Sequence, residues 1–248
     1  MICGCMMRQL LYKKVAWVAL LLLSLAGMDN AVAQQRIPRE IHLGVVGGAN
    51  LSEYTFHPNV AQRYTGSYTM GVAARYIEEE YFGLQAELLL TERGFADEWE
   101  PNPEGWLFER KLLYVELPVM AHVYFTLGKH NEVAIDLGPK LGYFLSDRTK
   151  SDLPENYGYT EETVYYQIDH HDLPIEKKFD YGLQFGLGYE YKINSLLSVQ
   201  LTGRYYFGLG NLWPDSKADH FEQSSNSSFQ ISMGLWWHHV IKGKKAKK

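Results

Sequence analysis

The stretch that decides the fold is FDYGLQFGLGYEYK, residues Phe179–Lys192. Every second side chain, from Phe179 to Tyr191, is aromatic or leucine, and the positions between them are polar or glycine. Because successive side chains of a strand point to opposite faces, this period of two predicts a β-strand with one apolar and one polar face. Segment 197–210 repeats the alternation, and the short connection 193–196 predicts a hairpin between the two strands.

The same test along the rest of the chain predicts eight strands. They lie near 40–50, 67–77, 82–93, 110–127, 132–146, 178–192, 197–210 and 228–240. Long connections alternate with tight turns, and both termini fall at the end of the tight turns. An even number of antiparallel strands in this arrangement is typical of a bacterial outer-membrane β-barrel. Pro118 and Pro139 interrupt two strands, so we expect a bulge or local irregularity at each.

The composition excludes several other classes of protein. Of the 248 residues, 46% are hydrophobic and 21% are charged, which excludes a disordered, collagenous or disulfide-stapled chain. A mean hydropathy of −0.27 excludes a helical membrane protein with several spans. It does not exclude a membrane barrel, because lipid-facing and lumen-facing residues alternate there and no window averages strongly hydrophobic.

The first 33 residues have the features of a secretory signal peptide. Arg8, Lys13 and Lys14 precede an apolar run at 15–27, and an A-x-A cleavage site ends at Ala33. The run is short for a membrane span, which disfavours the alternative of an uncleaved anchor. We therefore expect a signal peptide at 1–33, a barrel domain at 34–240 and a basic periplasmic tail at 241–248.

Both cysteines, Cys3 and Cys5, lie in the predicted signal peptide. The exported chain then has none, which excludes disulfides, thiol catalysis and cysteine-ligated metals. Cleavage also removes three of the 24 basic and one of the 29 acidic residues, so that the exported chain has a net charge of −7. An acidic chain of this kind argues against nucleic acid as a partner.

The alternation alone does not say which face of the barrel is apolar. A soluble barrel such as a lipocalin would turn the apolar face inward, around a ligand. Here the polar face mixes charges with many glycines, which suits a narrow lumen better than a soluble surface. The apolar face carries aromatic residues near strand ends, as membrane interfaces require. These are Tyr68, Tyr76, Phe82, Phe125, Tyr143, Tyr191, Phe207 and Trp237. We therefore predict a monomeric barrel in the outer membrane.

The polar face predicts a lumen filled by paired charges. Five basic and five acidic residues are expected to point inward: Arg75, Arg93, Lys140, Lys192, Arg204, Glu87, Glu116, Asp136, Asp180 and Glu190. Eight strands leave an interior about wide enough for side chains, and a balanced set of charges favours a self-neutralising network over an ion-selective channel. Because buried charges need partners, removing one member of a pair should destabilise more than removing both. A narrow pore is the alternative.

Short motifs follow one another along residues 40–240. They are GVVGGANLS at 44–52, YVELP at 114–118, GPKLGY at 138–143, DYG at 180–182, RYYFGL at 204–209 and FQISMGL at 229–235. In this order they resemble the PorT-like outer-membrane β-barrel proteins common in Bacteroidetes. The resemblance implies the same fold and, since the namesake is associated with secretion and gliding machinery, an accessory role in an envelope secretion assembly. It supplies no catalytic residues.

We predict no catalytic, cofactor or metal site. His122, on the polar face, could serve as a base in a lipid-modifying barrel enzyme, but there is no G-x-S-x-G motif and a nucleophile at Ser198 or Ser232 would have to be assumed. His238 and His239 are adjacent in a strand, so they point to opposite faces and do not easily chelate one ion. Segment 170–172, His-His-Asp, could bind a metal in a loop, without support from a second cluster.

Two predicted long connections are acidic. Segment 147–178 has eight acidic and four basic residues, and segment 94–109 has five acidic residues around Trp99 and Trp106. They indicate either a recognition surface, with Ca²⁺ bridging to lipopolysaccharide, or solvated loops without a ligand; the spacing of a calcium loop is absent. The favoured function is structural or binding, with outer-membrane lipid and lipopolysaccharide as partners. Envelope secretion or cell-wall components are further candidate partners.

Overall fold

The computed structural model describes residues 39–57, 61–98, 107–152, 173–213 and 223–241. The chain divides into two compact units, Met1–Arg36 and Ile37–Lys248, and all described residues belong to the second. The predicted signal peptide, the His-His-Asp segment and the lysines of the tail therefore lie outside the described residues. Within the described ranges, no helix is long and apolar enough to cross a membrane.

The described residues form nine strands, of which eight are long and one has two residues. Their bounds are β1 Arg39–His57, β2 Gln62–Arg63, β3 Thr65–Glu79, β4 Phe82–Asp97, β5 Phe108–Leu127, β6 Asn131–Ser151, β7 Phe179–Lys192, β8 Leu197–Gly208 and β9 Gln223–Ile241. The eight long strands correspond to the eight predicted ones. The short strand β2 lies inside a segment that we predicted to be a loop.

The eight long strands form a closed ring. Going round it, their order is β1, β3, β4, β5, β6, β7, β8 and β9, and every neighbouring pair is antiparallel. The first and last strands complete the ring, with a register that runs from Arg39↔Ile241 to His57↔Gln223. The predicted fold, an eight-stranded antiparallel up-and-down barrel, is confirmed. Strand β2 pairs with the end of β4, at Gln62↔Asp97.

Several strands run further than predicted at the end that carries the long connections. β1 continues to His57 and β6 to Ser151, and β9 begins at Gln223. The predicted bounds followed the apolar alternation, whereas backbone pairing continues after the outer face stops being apolar. At this end β5 and β6 still pair at Phe108↔Ser151.

The two prolines interrupt hydrogen-bonded pairing without shifting the register. The β5–β6 ladder has Pro118↔Lys140 and resumes at Ala121↔Leu137, so the intervening pairs, which include Pro139, are missing while the register is kept. The predicted irregularity is present at both prolines, as an interrupted ladder. The register shift between β5 and β6 lies elsewhere, between Leu113 and Tyr114.

The apolar side chains face outward. In β7 the seven alternating apolar residues are between 45% and 56% exposed, and the intervening inner-face positions are buried or half-buried. The eight aromatic residues predicted to lie at the membrane interfaces are all exposed as well. Exposure of large apolar side chains on this scale would be unfavourable in water, and it is what a surface in contact with lipid requires. The faces therefore have the orientation of a membrane barrel and not that of a lipocalin.

Candidate functional site

The interior of the barrel holds nearly all of the buried charge among the described residues. All ten predicted lumen residues lie on the inner face; nine are buried, and Lys192, close to the end with the tight turns, is half-buried. Each of the ten has an oppositely charged group within 4.0 Å. The pairs occupy successive levels along the barrel axis.

Two ion pairs cross the full width of the barrel. Arg75 on β3 contacts Glu190 on β7 at 2.8 Å, and both Nη atoms of Arg204 on β8 contact the carboxylate of Glu87 on β4 at 2.7 Å. In each case three strands separate the partners on either side of the ring. A forked guanidinium bound to a carboxylate by two hydrogen bonds is the strongest geometry available to such a pair. These contacts occupy the centre of the lumen.

A third arginine organises a cluster nearer the end with the long connections. Arg93 lies 2.7 Å from Asp180 and 3.1 Å from Glu116, and Lys140 lies 3.0 Å from the other oxygen of Glu116. The Lys140 ammonium also lies 3.9 Å from the centre of the Tyr206 ring. Cation–π contacts of this kind are worth more when they are shielded from water, as here. The cluster closes the lumen beside the crossing pairs.

Several members of the network were missed by the sequence analysis. Lys192 pairs with Glu132 at 2.7 Å. Glu132 lies near the start of β6, and its side chain points inward by the same alternation as that of Asp136. Trp236 is fully buried under Arg75, with 4.2 Å between the guanidinium and its ring, and donates a hydrogen bond to Gln200. Both positions lie inside the predicted strands 132–146 and 228–240, so applying the period of two to every residue of those strands would have identified them. Their partners were not readable, since pairing across the lumen does not follow from the pattern of one strand.

The end with the long connections is filled mainly by apolar and aromatic side chains, beside the buried Arg110 and its partner Asp147. This cluster, which we call the apolar plug, is made of Tyr54, Phe56, Phe95, Phe108, Leu112, Tyr114, Phe144, Ile175, Leu212 and Trp213. Within it Phe56 meets Phe95 edge-on at 5.3 Å and stacks at a tilt on Trp213 at 5.6 Å. The Trp213 indole donates a hydrogen bond to the carbonyl of Pro174, which ties two connections together. The sequence analysis considered only charges in the lumen and did not predict this plug.

His122 and Ser198, which were considered for catalysis, contact different partners. The ring of His122 is buried, and its Nδ1 lies 2.7 Å from Asp136. Ser198 instead donates a hydrogen bond to Glu190 and contacts His238 Nε2 at 2.7 Å. Ser232 is buried on β9. His238 points inward and His239 outward, in agreement with the expected opposite faces of adjacent strand residues.

Fold and interior together define a small outer-membrane β-barrel protein with a filled lumen. Residues 32–213 match the sequence model of the family described as outer membrane protein beta-barrel domain, and the chain belongs to that family. The protein is localised in the outer membrane. Because short turns face the periplasm in such barrels, the turns at 80–81, 128–130 and 193–196 mark the periplasmic end, and the opposite ends of the strands form the extracellular end.

Solved structures that are similar to this chain include two outer-membrane proteins of bacteria. The chain is similar to the outer membrane protein OprG from Pseudomonas aeruginosa, with 10% identity, a TM-score of 0.50 and coverage of 84% of this chain and 99% of that one. It is also similar to Ail, the attachment invasion locus protein of Yersinia pestis, with 13% identity, a TM-score of 0.40 and coverage of 82% and 100%. A search of the curated proteins gave no match.

Proposed function

We propose that this protein is a non-enzymatic outer-membrane barrel that holds acidic extracellular loops as a binding surface for positive charge. The observation that carries the proposal is the combination of a closed lumen and strands that extend past the membrane at the extracellular end. The closed lumen disfavours passage of solutes, and the extended strands form a platform for the loops.

The closure of the lumen rests on its contacts. At the centre, the Arg75–Glu190 and Arg204–Glu87 pairs reach from wall to wall, and the four side chains are between 0% and 1% exposed. At the extracellular end the apolar plug fills the remaining width. Separating a buried pair to open a path would leave two desolvated charges without partners, which is strongly unfavourable.

The length of the strands is the argument for a platform at the extracellular end. A tilted strand needs about 9–11 residues to cross the bilayer, whereas β5 has 20 and β6 has 21. The surplus lies at the extracellular end, where pairing continues to Phe108↔Ser151 and the apolar plug packs between the strands. About half of each strand therefore projects beyond the hydrocarbon region as an ordered support.

The negative charge of the loops indicates which class of ligand they would bind. Segment 147–178 has eight acidic and four basic residues, and it also contains Tyr157, Tyr159, Tyr165 and Tyr166. Carboxylates beside the phosphates of lipopolysaccharide attract divalent cations, which can bridge the two. A basic protein surface would satisfy the same carboxylates without a metal.

The experiment uses the full barrel in lipid vesicles and a variant with Glu161→Gln, Glu162→Gln and Asp169→Asn. We expect the wild type to bind lipopolysaccharide in the presence of Ca²⁺, to release it on addition of EDTA, and to bind polylysine without Ca²⁺; the variant should lose both. Loss of polylysine binding alone would point to a protein partner. A matched control changes the uncharged residues Asn156→Ser, Thr163→Ser and Gln167→Asn. Equal binding by wild type and acidic-loop variant would overturn the proposal.

A second function, accessory action in envelope secretion, is favoured by the ordered motifs that resemble PorT-like proteins. It would act through the periplasmic end, where β1 begins at Arg39 and β9 ends at Ile241. The lysine-rich segment follows β9 in the sequence. Crosslinking in cells followed by purification of the barrel tests this alternative. Recovery of the same periplasmic partner from the acidic-loop variant and from wild type would support it, whereas recovery of no periplasmic protein from either would exclude it.

A further inference from the structure

Two histidines face each other across the line where the barrel closes. His42 on β1 and His238 on β9 form a register pair at the periplasmic end, and their ring centres are 3.9 Å apart. Glu40 lies two residues before His42 on the same face, and its Oε2 is 2.9 Å from His42 Nε2. One ligating atom from each of the three residues lies within 4.8 Å of the other two.

The histidine contacts leave a buried nitrogen unused. His42 is only 3% exposed, and its Nδ1 has no hydrogen-bond partner among the described residues. Buried polar atoms in native proteins nearly always have a partner, so an unpaired one requires an explanation. His238 Nε2 lies 2.7 Å from Ser198 Oγ and 3.5 Å from Glu190 Oε1, so a further carboxylate adjoins the pair.

We propose that Glu40, His42 and His238 bind a divalent transition-metal ion of the zinc class at the periplasmic mouth of the barrel. Two imidazoles and a carboxylate form a common ligand set for Zn²⁺, with bonds of about 2.0–2.2 Å. Such bonds put donor atoms about 3.3 Å apart in a tetrahedral site, so the three side chains need to draw together by about 1.5 Å at most. Rotation of the half-buried side chains of Glu40 and His238 supplies this movement, and water or Glu190 completes the coordination.

The proposed site joins the two ends of the chain. His42 lies on the first strand and His238 on the last, so the three ligands come together only in the closed barrel. A bound ion then holds the β1–β9 seam at its periplasmic end. Our sequence analysis predicted no metal site because it tested neighbours in sequence, His238 with His239, and not neighbours across the seam.

The test uses untagged full barrel, folded in detergent micelles, stripped with EDTA and titrated with Zn²⁺ by calorimetry. Co²⁺ serves as a second probe, since its visible absorption reports four-coordinate binding. We expect one Zn²⁺ per barrel, with affinity reduced at least about tenfold in His42→Gln and in His238→Gln. The matched control is His239→Gln, which removes an exposed histidine next to His238 and should leave affinity unchanged.

The difference in gel mobility between unboiled and boiled protein shows whether each variant is folded. If His42→Gln does not fold, Glu40→Gln replaces it, because Glu40 lies at the rim and only its carboxylate charge is removed. Zn²⁺ should also raise the temperature at which wild-type barrel changes mobility, and should not do so for His238→Gln. The proposal is overturned if stripped wild type takes up no Zn²⁺, or if His239→Gln weakens binding as much as His238→Gln.

Discussion

The ion pair between Arg204 and Glu87 gives the sharpest test of how the lumen stabilises the barrel. Both Nη atoms of Arg204 lie 2.7 Å from the Glu87 carboxylate, and the side chains are 1% and 0% exposed. After Arg204→Met, the Glu87 carboxylate keeps only the hydrogen bond from the Gln85 amide as a described side-chain contact, and Asp136 keeps its contact with His122. An uncompensated buried charge costs about 3–5 kcal/mol, so we expect a loss of this size in the free energy of unfolding.

The converse change, Glu87→Met, should cost less. Arg204 then keeps Asp136, whose Oδ2 lies 3.6 Å from it, so we expect a loss of about 3 kcal/mol, at the lower end of the same range. The double variant removes both charges and fills the space with two apolar side chains. Replacement of a whole buried pair is often close to neutral, so the double variant should be more stable than either single one. The resulting coupling energy should be at least about 3 kcal/mol.

A second arginine–glutamate pair serves as the control. Arg148 and Glu92 approach to 2.8 Å; the Glu92 side chain is 7% exposed, but the Arg148 side chain is 68% exposed and stays hydrated. Surface pairs contribute about 0.2–1 kcal/mol, so the same double-variant cycle should give a coupling well below that of the fully buried Arg204–Glu87 pair. The assay is reversible urea unfolding of the barrel in lipid vesicles, followed by tryptophan fluorescence. A coupling for Arg204 and Glu87 no larger than that of the control pair would refute the reasoning.

Three further predictions follow from packing and exposure. Gly138→Ala puts a Cβ against the carbonyl oxygen of Val119, closer than a Cβ can approach, and should prevent folding, seen as loss of the mobility difference on boiling. Gly203→Ala, with no atom nearer than 3.8 Å, should fold. Leu187→Arg introduces a charge into the lipid-facing middle of β7 and should lower the free energy of unfolding by about 2–4 kcal/mol. Leu196→Arg, in the periplasmic turn, should lower it by only about 0–1 kcal/mol. Equal losses for the two variants in urea unfolding would contradict this prediction. Wild-type barrel in planar bilayers should give no single-channel steps, and reproducible steps would contradict a filled lumen.

The sequence predicted the direction of side chains better than their partners. The alternation in Phe179–Lys192 assigns every residue of that strand to a face, because the period of a strand is fixed by its backbone. It could not predict that Glu190 meets Arg75, since this contact depends on how far neighbouring strands are staggered around the whole ring. The PorT-like resemblance and the segment boundaries stay predictions.

The apolar plug shows a second reason why the sequence did not predict every contact inside the barrel. Phe56 and Phe95 lie on inner faces, where a membrane barrel is expected to be polar, so the rule that assigns apolar residues to the lipid side fails for them. The rule holds only across the hydrocarbon layer. Beyond that layer the strands behave as a small water-exposed barrel with an apolar core, and the face assignment is reversed.

The pairs that cross the lumen join residues far apart in the chain. Arg75 and Glu190 are 115 positions apart, and Arg204 and Glu87 are 117 apart. During insertion, β3 and β4 therefore expose charges whose partners arrive only with β7 and β8. Strands inserted singly into lipid would leave these charges unmatched, which is costly in a hydrocarbon medium. We therefore expect most strands to come together in a hydrated compartment before the barrel is released into the bilayer. A hairpin slipped by two residues would separate these charges from their partners, so the pairs disfavour errors of register.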